Sequence, residues 1–237
     1  VGHLGTLDPF ASGLLPLGVN EGTKIADIFL TAPKSYSGIV ALGVETDTQD
    51  ATGRVLEICD VPQVGHDEIE RLRLWPQGEA ELGFEVTCSK GTYIRTLAAD
   101  MGKFLGCGAH LKSLRRYSCG RLTLDRAVAL AALEELRKTG KTVPMLSLNQ
   151  ALAHLREIRL EERFLARLKR GKQEALAAIG LPQEGEKMVR VVDSEDSLVA
   201  LAEWGDVGQG RRWRLFRVFS EAATSLRGDR RLQSERQ

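Results

Sequence analysis

AELGFEVTCSKGTYIRTLAADMGKFLG, residues 80–106, changes its period half-way along. From Ala80 to Ser89 apolar and polar residues alternate, as in a strand with one buried face. After Thr92 the apolar residues Ile94, Leu97, Ala98 and Met101 recur at helical spacing. Thr92 is expected to cap this helix, and Gly102 and Gly106 to close it. A strand that feeds a helix through a Ser-Lys-Gly turn is a common place for functional residues to emerge.

Upstream, KSYSGIVALGVETDTQDATGRVLEI (34–58) alternates, turns at Ala51 to Gly53 and resumes, which reads as two strands. HDEIERLRL (66–74) reads as a polar helix. The first thirty residues read as a loop rich in Gly, Pro and Leu, then a short helix at KIADIFL (24–30). Downstream, HLKSLRRYSCGRLTLDRAVALAALEELRKTG (110–140) gives a further strand pair and a helix ending at Gly140. PMLSLNQALAHL (144–155) connects to a second part, where MVRVVDSEDSLVALAEWGDVGQGRRWRLFRVF (188–219) is β-patterned with turns at 194–197 and 205–210. The fold class is therefore mixed α/β of the α+β kind. The expected domains are 1–155, a small β-rich unit at 156–220 and a disordered tail at 221–237 with few bulky apolar residues.

At 237 residues with 43% hydrophobic and 27% charged content, the chain can bury a real core. It has no run of ~20 apolar residues, and its start lacks a basic segment followed by an apolar one. It reads as a soluble, cytoplasmic protein. Cys59, Cys88, Cys107 and Cys119 are too few and too irregular for a disulfide framework, so they read as thiols. Cys107 with His110 lacks a second ligand pair, so no metal site is expected. Net charge is only +1, but residues 1–142 hold 16 Lys/Arg against 18 Asp/Glu and residues 143–237 hold 17 against 14. The basic residues cluster in KSLRR (112–116), RFLARLKRGK (163–172), RRWRLFR (211–217) and RGDRR (227–231). Such runs are either solvated faces or contacts for nucleic-acid phosphates.

Three segments could carry chemistry. In GHLGTLDP (2–9) the glycines let the backbone approach a ligand, and Pro9 keeps Asp8 out of the α region, so the carboxylate is presented from a fixed extended loop. Asp-Pro is also an ordinary turn starter. GVNEGTK (18–24) fails as a phosphate-binding P-loop because Thr23 precedes Lys24 and the gap is too short, so no nucleotide cofactor is expected. Lys24 is then exposed or a lone point charge for phosphate. CSKGTYIRT (88–96) puts Tyr93 and Arg95 at a helix start, where Arg95 could pair bidentately with a carboxylate or simply join a surface ion pair.

Taken together and in this order, three segments resemble the TruB family of pseudouridine synthases: GHLGTLDPFASGLLPLGVNEGTK, KSY followed by LGVETDTQDATG, and CSKGTYIRTLAADMGKFLGCGAHLKSLRR. The resemblance implies isomerisation of a uridine in the T stem-loop of tRNA, position 55, by a monomer without cofactor. It makes Asp8 the catalytic aspartate, Tyr36 the ring that stacks on the target base and Arg95 the partner of Asp8. Tyr93 and Leu114 would line the pocket, and His3 would help hold the nucleotide out of the RNA stack. It also implies a mainly antiparallel sheet with flanking helices and a PUA-like second domain. Lys24, Lys90, Arg115, Arg116, Arg211 and Arg212 are the candidate contacts to the RNA backbone.

The chain departs from the family in two places. It opens directly at the catalytic loop, where the family has an earlier strand with a D-K-P-like motif. It also has only WPQGEAE (75–81) where the family carries a long RNA-clamping segment. A catalytically weak or silent tRNA-binding protein or RNA chaperone on the same fold is the competing reading.

Overall fold

The computed structural model describes residues 1–61, 68–69, 72–206, 208 and 210–220. Its backbone divides into two compact units, Val1–Gly18 with Ile25–Ala127, and Val19–Lys24 with Val128–Gln237.

In the first unit the opening loop carries three two-residue strands, β1 (Gly2–His3), β2 (Ser12–Gly13) and β3 (Leu17–Gly18), and leads to helix α1 (Ala26–Thr31). The long strand β4 (Lys34–Leu42) follows. Gly43 then breaks the strand at φ 79°, a conformation that glycine adopts without steric cost. The run 34–58 is therefore not one pair of strands: its hairpin is β5 (Val44–Thr46) with β6 (Val55–Ile58), and β4 belongs to another sheet.

The polar helix expected at 66–74 is not formed. Within that stretch β7 (Glu68–Ile69) and β8 (Leu72–Pro76) are strands, and residues 66–67 and 70–71 lie outside the described residues. The alternating Leu72 and Leu74 face Val86 and Phe84 across the ladder, so pairing with a neighbouring strand overrides the local helical pattern. Next come β9 (Glu81–Cys88), α2 (Ile94–Leu105), β10 (Ala109–Cys119) and β11 (Leu122–Thr123).

The main sheet runs β11-β10-β4-β9-β8-β7, with β2 joining β10. All its pairs are antiparallel except β2 with β10. Directly opposed residues share a face, so the three central strands build rows: Leu82, Val40, Leu111; then Phe84, Gly38, Leu114; then Val86, Tyr36, Arg116. Gly38 has to be glycine, because a Cβ there would sit 2.7 Å from the Phe84 ring and 2.3 Å from a backbone oxygen. Leu111 and Leu114 are three apart, and unbroken alternation would aim them to opposite faces. The register shift between Leu111 and Ser113 puts both in the core. Ile94 and Ala98 of α2 are buried in the same core, with Leu97 and Met101 packed against it.

In the second unit α3 (Leu130–Lys138) and α4 (Leu148–Ala151) precede a four-stranded sheet of β12 (Arg156–Arg159), β13 (Met188–Val192), β14 (Leu198–Asp206) and β15 (Arg211–Val218), with α5 (Glu162–Lys169) between β12 and β13. Leu165 and Leu168 of α5 are buried with Val189, Val191, Ala200, Ala202 and Trp213. The segment from Val128 to Leu155, grouped with the first domain from sequence, falls in this unit. The reason is local: Arg190 of β13 donates to the Leu155 carbonyl at 3.0 Å and also binds the Asn149 side chain. The tail at 221–237, with its RGDRR cluster, lies outside the described residues.

Candidate active site

The first eighteen residues are held as a folded loop. His3 pairs with Leu17 across β1 and β3, and the Leu4 N–H donates to the Pro16 carbonyl at 2.8 Å. The Ala11 N–H donates to the Asp8 carbonyl at 2.9 Å, so Asp8-Pro9-Phe10-Ala11 is a β-turn with proline at its favoured second position. The Asp-Pro step is thus both the turn and the presentation of the carboxylate. Along the far side, Ser12 and Gly13 pair in parallel with Arg115 and Arg116, and the Leu14 N–H donates to the Arg116 carbonyl at 2.8 Å. A Cβ on Gly13 would lie 2.2 Å from that carbonyl oxygen, so only glycine allows this approach.

Asp8 meets Arg95, which sits in the first turn of α2: Nε lies 3.3 Å from Oδ2. The pairing is not the bidentate fork that the sequence allowed. Arg95 divides its donors, with Nη1 at 3.6 Å from Asp50 Oδ2 and donating to the Thr48 carbonyl at 3.2 Å. Tyr93 takes the N-cap position of α2 and no side chain caps it, so Thr92 does not serve as the cap; Gly106 closes the helix in the left-handed conformation as expected.

Asp50 was not singled out from sequence. It is buried, and it accepts hydrogen bonds from the Thr52 hydroxyl at 2.5 Å, the Thr52 N–H at 2.9 Å and the Thr48 hydroxyl at 2.8 Å. Burial pushes its carboxyl up, but the Thr52 hydroxyl and N–H, the Thr48 hydroxyl and the Arg95 charge together outweigh burial and hold it below the ordinary carboxylate range. The signal was present in D-A-T, since an aspartate two residues before a threonine forms an Asx-type bond to that N–H. The loop is tied to β10 by Gln49 and Ala51, each bonded through its backbone to Leu111. Thus Asp50 fixes Arg95, which in turn orients Asp8.

Tyr36 lies on the sheet face beside Arg116 and Val86, and Leu114 lies one row on; Phe10 and Ala11 of the turn pack against the same core. Burial pushes the Tyr36 phenol up, and the neighbouring Arg116 guanidinium partly offsets this. Lys34, the lysine of KSY, donates to the carbonyls of Phe29, Leu30 and Ala32 and so binds the last turn of α1. His3 is exposed on β1, and Tyr93 stands 72% exposed at the start of α2.

One of the candidate phosphate contacts, Arg116, is corrected, while Lys24 is exposed as one reading had it. Arg116 is 0% exposed, because the strand register points it into the core. Lys24 is neither alone nor free: it pairs with Glu21 at 2.7 Å and donates to the Val218 carbonyl at 3.1 Å. Lys90 and Arg115 are exposed. Arg211 and Arg212 are exposed on β15, Arg211 with Asp206 at 3.8 Å. Arg212 lines an open groove of about 800 Å³ with Lys172, Trp204 and Trp213.

The sequence is 36% identical over 281 aligned positions to tRNA pseudouridine synthase B of Geobacter sulfurreducens, covering 92% of this chain and 90% of that protein. The chain belongs to the TruB family of pseudouridylate synthases. The family model for the "TruB family pseudouridylate synthase (N terminal domain)" matches residues 1–79, and that for the "tRNA pseudouridylate synthase B C-terminal domain" matches residues 95–158. Another relative, tRNA pseudouridine synthase B of Chromohalobacter salexigens, is 34% identical over 89% of this chain and 84% of its own. The Geobacter alignment is longer than the 237 residues of this chain, so that TruB protein carries internal segments lacking here.

In fold, this TruB chain is similar to a chain of an H/ACA RNP bound to a substrate RNA containing 2′-deoxyuridine. The TM-score is 0.67 at 23% identity, over 92% of this chain and 76% of that one. A Cbf5-Nop10-Gar1 complex gives 0.65 at 23% identity with the same coverage. These likenesses concern the fold: a mixed α/β unit on a mainly antiparallel sheet with a β-rich unit after it.

Proposed function

We propose that this chain isomerises the uridine at position 55 in the T loop of tRNA to pseudouridine, as a cytoplasmic monomer without cofactor and with Asp8 as the reacting carboxylate. The observation that carries the reading is Asp8 on a clamped loop, 3.3 Å from an Arg95 that Asp50 and Thr48 hold in place, in a chain whose relatives are named tRNA pseudouridine synthase B. The reaction breaks the N1–C1′ bond, turns the base and joins C1′ to C5. C5 loses its proton and N1 gains one, so no electrons enter or leave. A carboxylate serves either as nucleophile or as base at the sugar, and Arg95 orients it while charge moves.

The target base leaves its stack at a cost of a few kcal/mol. Tyr36 offsets that cost by stacking, and Leu114 supplies apolar surface, so that the detached base is kept from water. His3 and Tyr93 hold the extruded nucleotide at the rim. Lys90, Arg115 and, from a PUA-like second unit, Arg211 and Arg212 bind phosphates. In that unit the groove beside Arg212 offers the partly exposed Trp204 side chain for stacking as well.

The internal segments missing relative to the Geobacter protein favour a second reading, a tRNA-binding protein with little or no turnover. Incubation with an unmodified tRNA transcript labelled with tritium at C5 of uridine separates the two. Release of one tritium per tRNA is expected; stable binding without release would establish the silent reading.

A further inference from the structure

Arg116 is a cation in a core position. Its Nε donates to the Leu14 carbonyl at 2.8 Å, one terminal nitrogen to the Thr6 carbonyl at 2.8 Å and the other to the Gly5 carbonyl at 3.0 Å. Tyr36 stands directly opposite it across β10 and β4, where the guanidinium works against the rise that burial gives the phenol's pKa. No ion pair with a carboxylate is found for it among the described residues, so backbone dipoles stabilise a fully buried charge. Burying a charge this way is costly unless several well-aimed donors or acceptors satisfy it. A residue serving only to fill the core would be apolar here, like Leu111 and Leu114 on the same strand face.

The placement of the accepting groups is informative. Gly5 and Thr6 lie just before Asp8, Leu14 lies after it, and Tyr36 is the ring assigned to the target base. The backbone of Arg116 grips the loop a second time through Leu14 and the close approach of Gly13. A guanidinium, with five donors in a fixed plane, can hold all three carbonyls at once, whereas an ammonium is a single compact point.

We propose that Arg116 is a positioning residue for the reaction: by binding the carbonyls on both sides of Asp8 from a position directly opposite Tyr36 on the neighbouring strand, one side chain sets the placement of the carboxylate relative to the ring that carries the base. The inference rests on the assignment of Asp8 and Tyr36 made above. Misplacement of reacting groups by about 1 Å costs on the order of a hundredfold in rate, and that is the effect expected when the fork is lost and the charge kept.

The test compares wild type, Asp8→Asn, Arg116→Lys and Arg116→Met in single-turnover tritium release, tRNA affinity and thermal unfolding. Arg116→Lys is expected to fold, to bind tRNA within about threefold of wild type and to react on the order of a hundredfold more slowly. Arg116→Lys reacting within about threefold of wild type overturns the proposal. So does a rate loss matched by equal losses of affinity and stability, or failure of both the Lys and the Met variants to fold, since each makes Arg116 a residue of the fold alone. Failure of the underlying assignment looks different: wild type releases no tritium, or Asp8→Asn reacts at the wild-type rate.

Discussion

KSLRR at 112–116 and RRWRLFR at 211–217 look alike as basic runs, yet they fold into opposite environments. In the first, Arg115 points to solvent while Arg116 is sealed beneath the loop that carries Asp8. In the second, strand alternation buries Trp213, whose indole N–H donates to the Gly180 carbonyl at 2.7 Å. Arg211 stays 63% exposed, and Arg214 pairs with Glu203 across the sheet at 2.9 Å. A buried arginine in a dry site works through fixed geometry, and its loss should show as a change in rate. An exposed arginine works through charge in salt solution, and its loss should show as a change in the salt dependence of affinity. Where a residue sits thus decides which measurement can detect it.

The largest effect on the site side is expected from Arg95→Lys. A single ammonium cannot divide itself between Asp8, Asp50 and the Thr48 carbonyl as the guanidinium does. The single-turnover rate should fall on the order of a hundredfold or more while tRNA affinity stays within about threefold. A loss confined to affinity would put Arg95 in one class with Arg211 and Arg212 and break the contrast.

Asp50→Asn should give a smaller loss, on the order of tenfold in rate, since it loosens Arg95 without removing it. It also has a pH signature. The Asp50 carboxyl lies below its ordinary value in the folded chain. The stability it contributes is therefore present above the ordinary carboxylate value of about 4 and is lost as pH falls through the lowered folded value. Thermal unfolding midpoints from pH 7 to pH 3 should fall more steeply below about pH 4 in wild type than in Asp50→Asn. Parallel curves would show that Asp50 is not held as an anion by its threonines and Arg95.

The smallest effect on rate belongs to the second unit. About five phosphate contacts to a duplex stem would cost two to three decades of affinity between about 50 and 200 mM salt. Replacing Arg211 and Arg212 together by alanine should flatten that slope by about two contacts and leave the rate at saturating tRNA unchanged. Salt titrations that run parallel would mean that this basic run is only a solvated face.

Much of this was legible in the sequence because local pattern and tertiary pairing agree there. The period change at 80–106 places β9 and α2, and the Asp8 and Arg95 segments converge as the family resemblance implied. Most of the misses share one cause: a long-range partner overruled the local pattern. HDEIERLRL has helical composition, but Leu72 and Leu74 lie beside β9. Arg116 carries the letters of a surface run, and only the strand register, set by the irregularity between Leu111 and Ser113 in β10, shows that it points inward. Lys24 reads as a free charge until Glu21 and the Val218 carbonyl, 194 residues away, are seen to hold it. Asp50 was concealed because its importance comes from Arg95, which is distant in sequence and close in space.

The measurement that tests the account most directly is Asp8→Asn beside wild type, in tritium release and tRNA affinity on the same transcript. The change keeps the size of the side chain and the turn that Pro9 and Ala11 fix, and removes only the carboxylate. The account predicts that wild type converts the uridine, and that the variant binds tRNA within about threefold and converts less than a few per cent. A variant that binds as expected and still forms pseudouridine at more than that level would mean that the reacting carboxylate lies elsewhere, and that the Asp8, Arg95 and Asp50 network is only a structural ion pair.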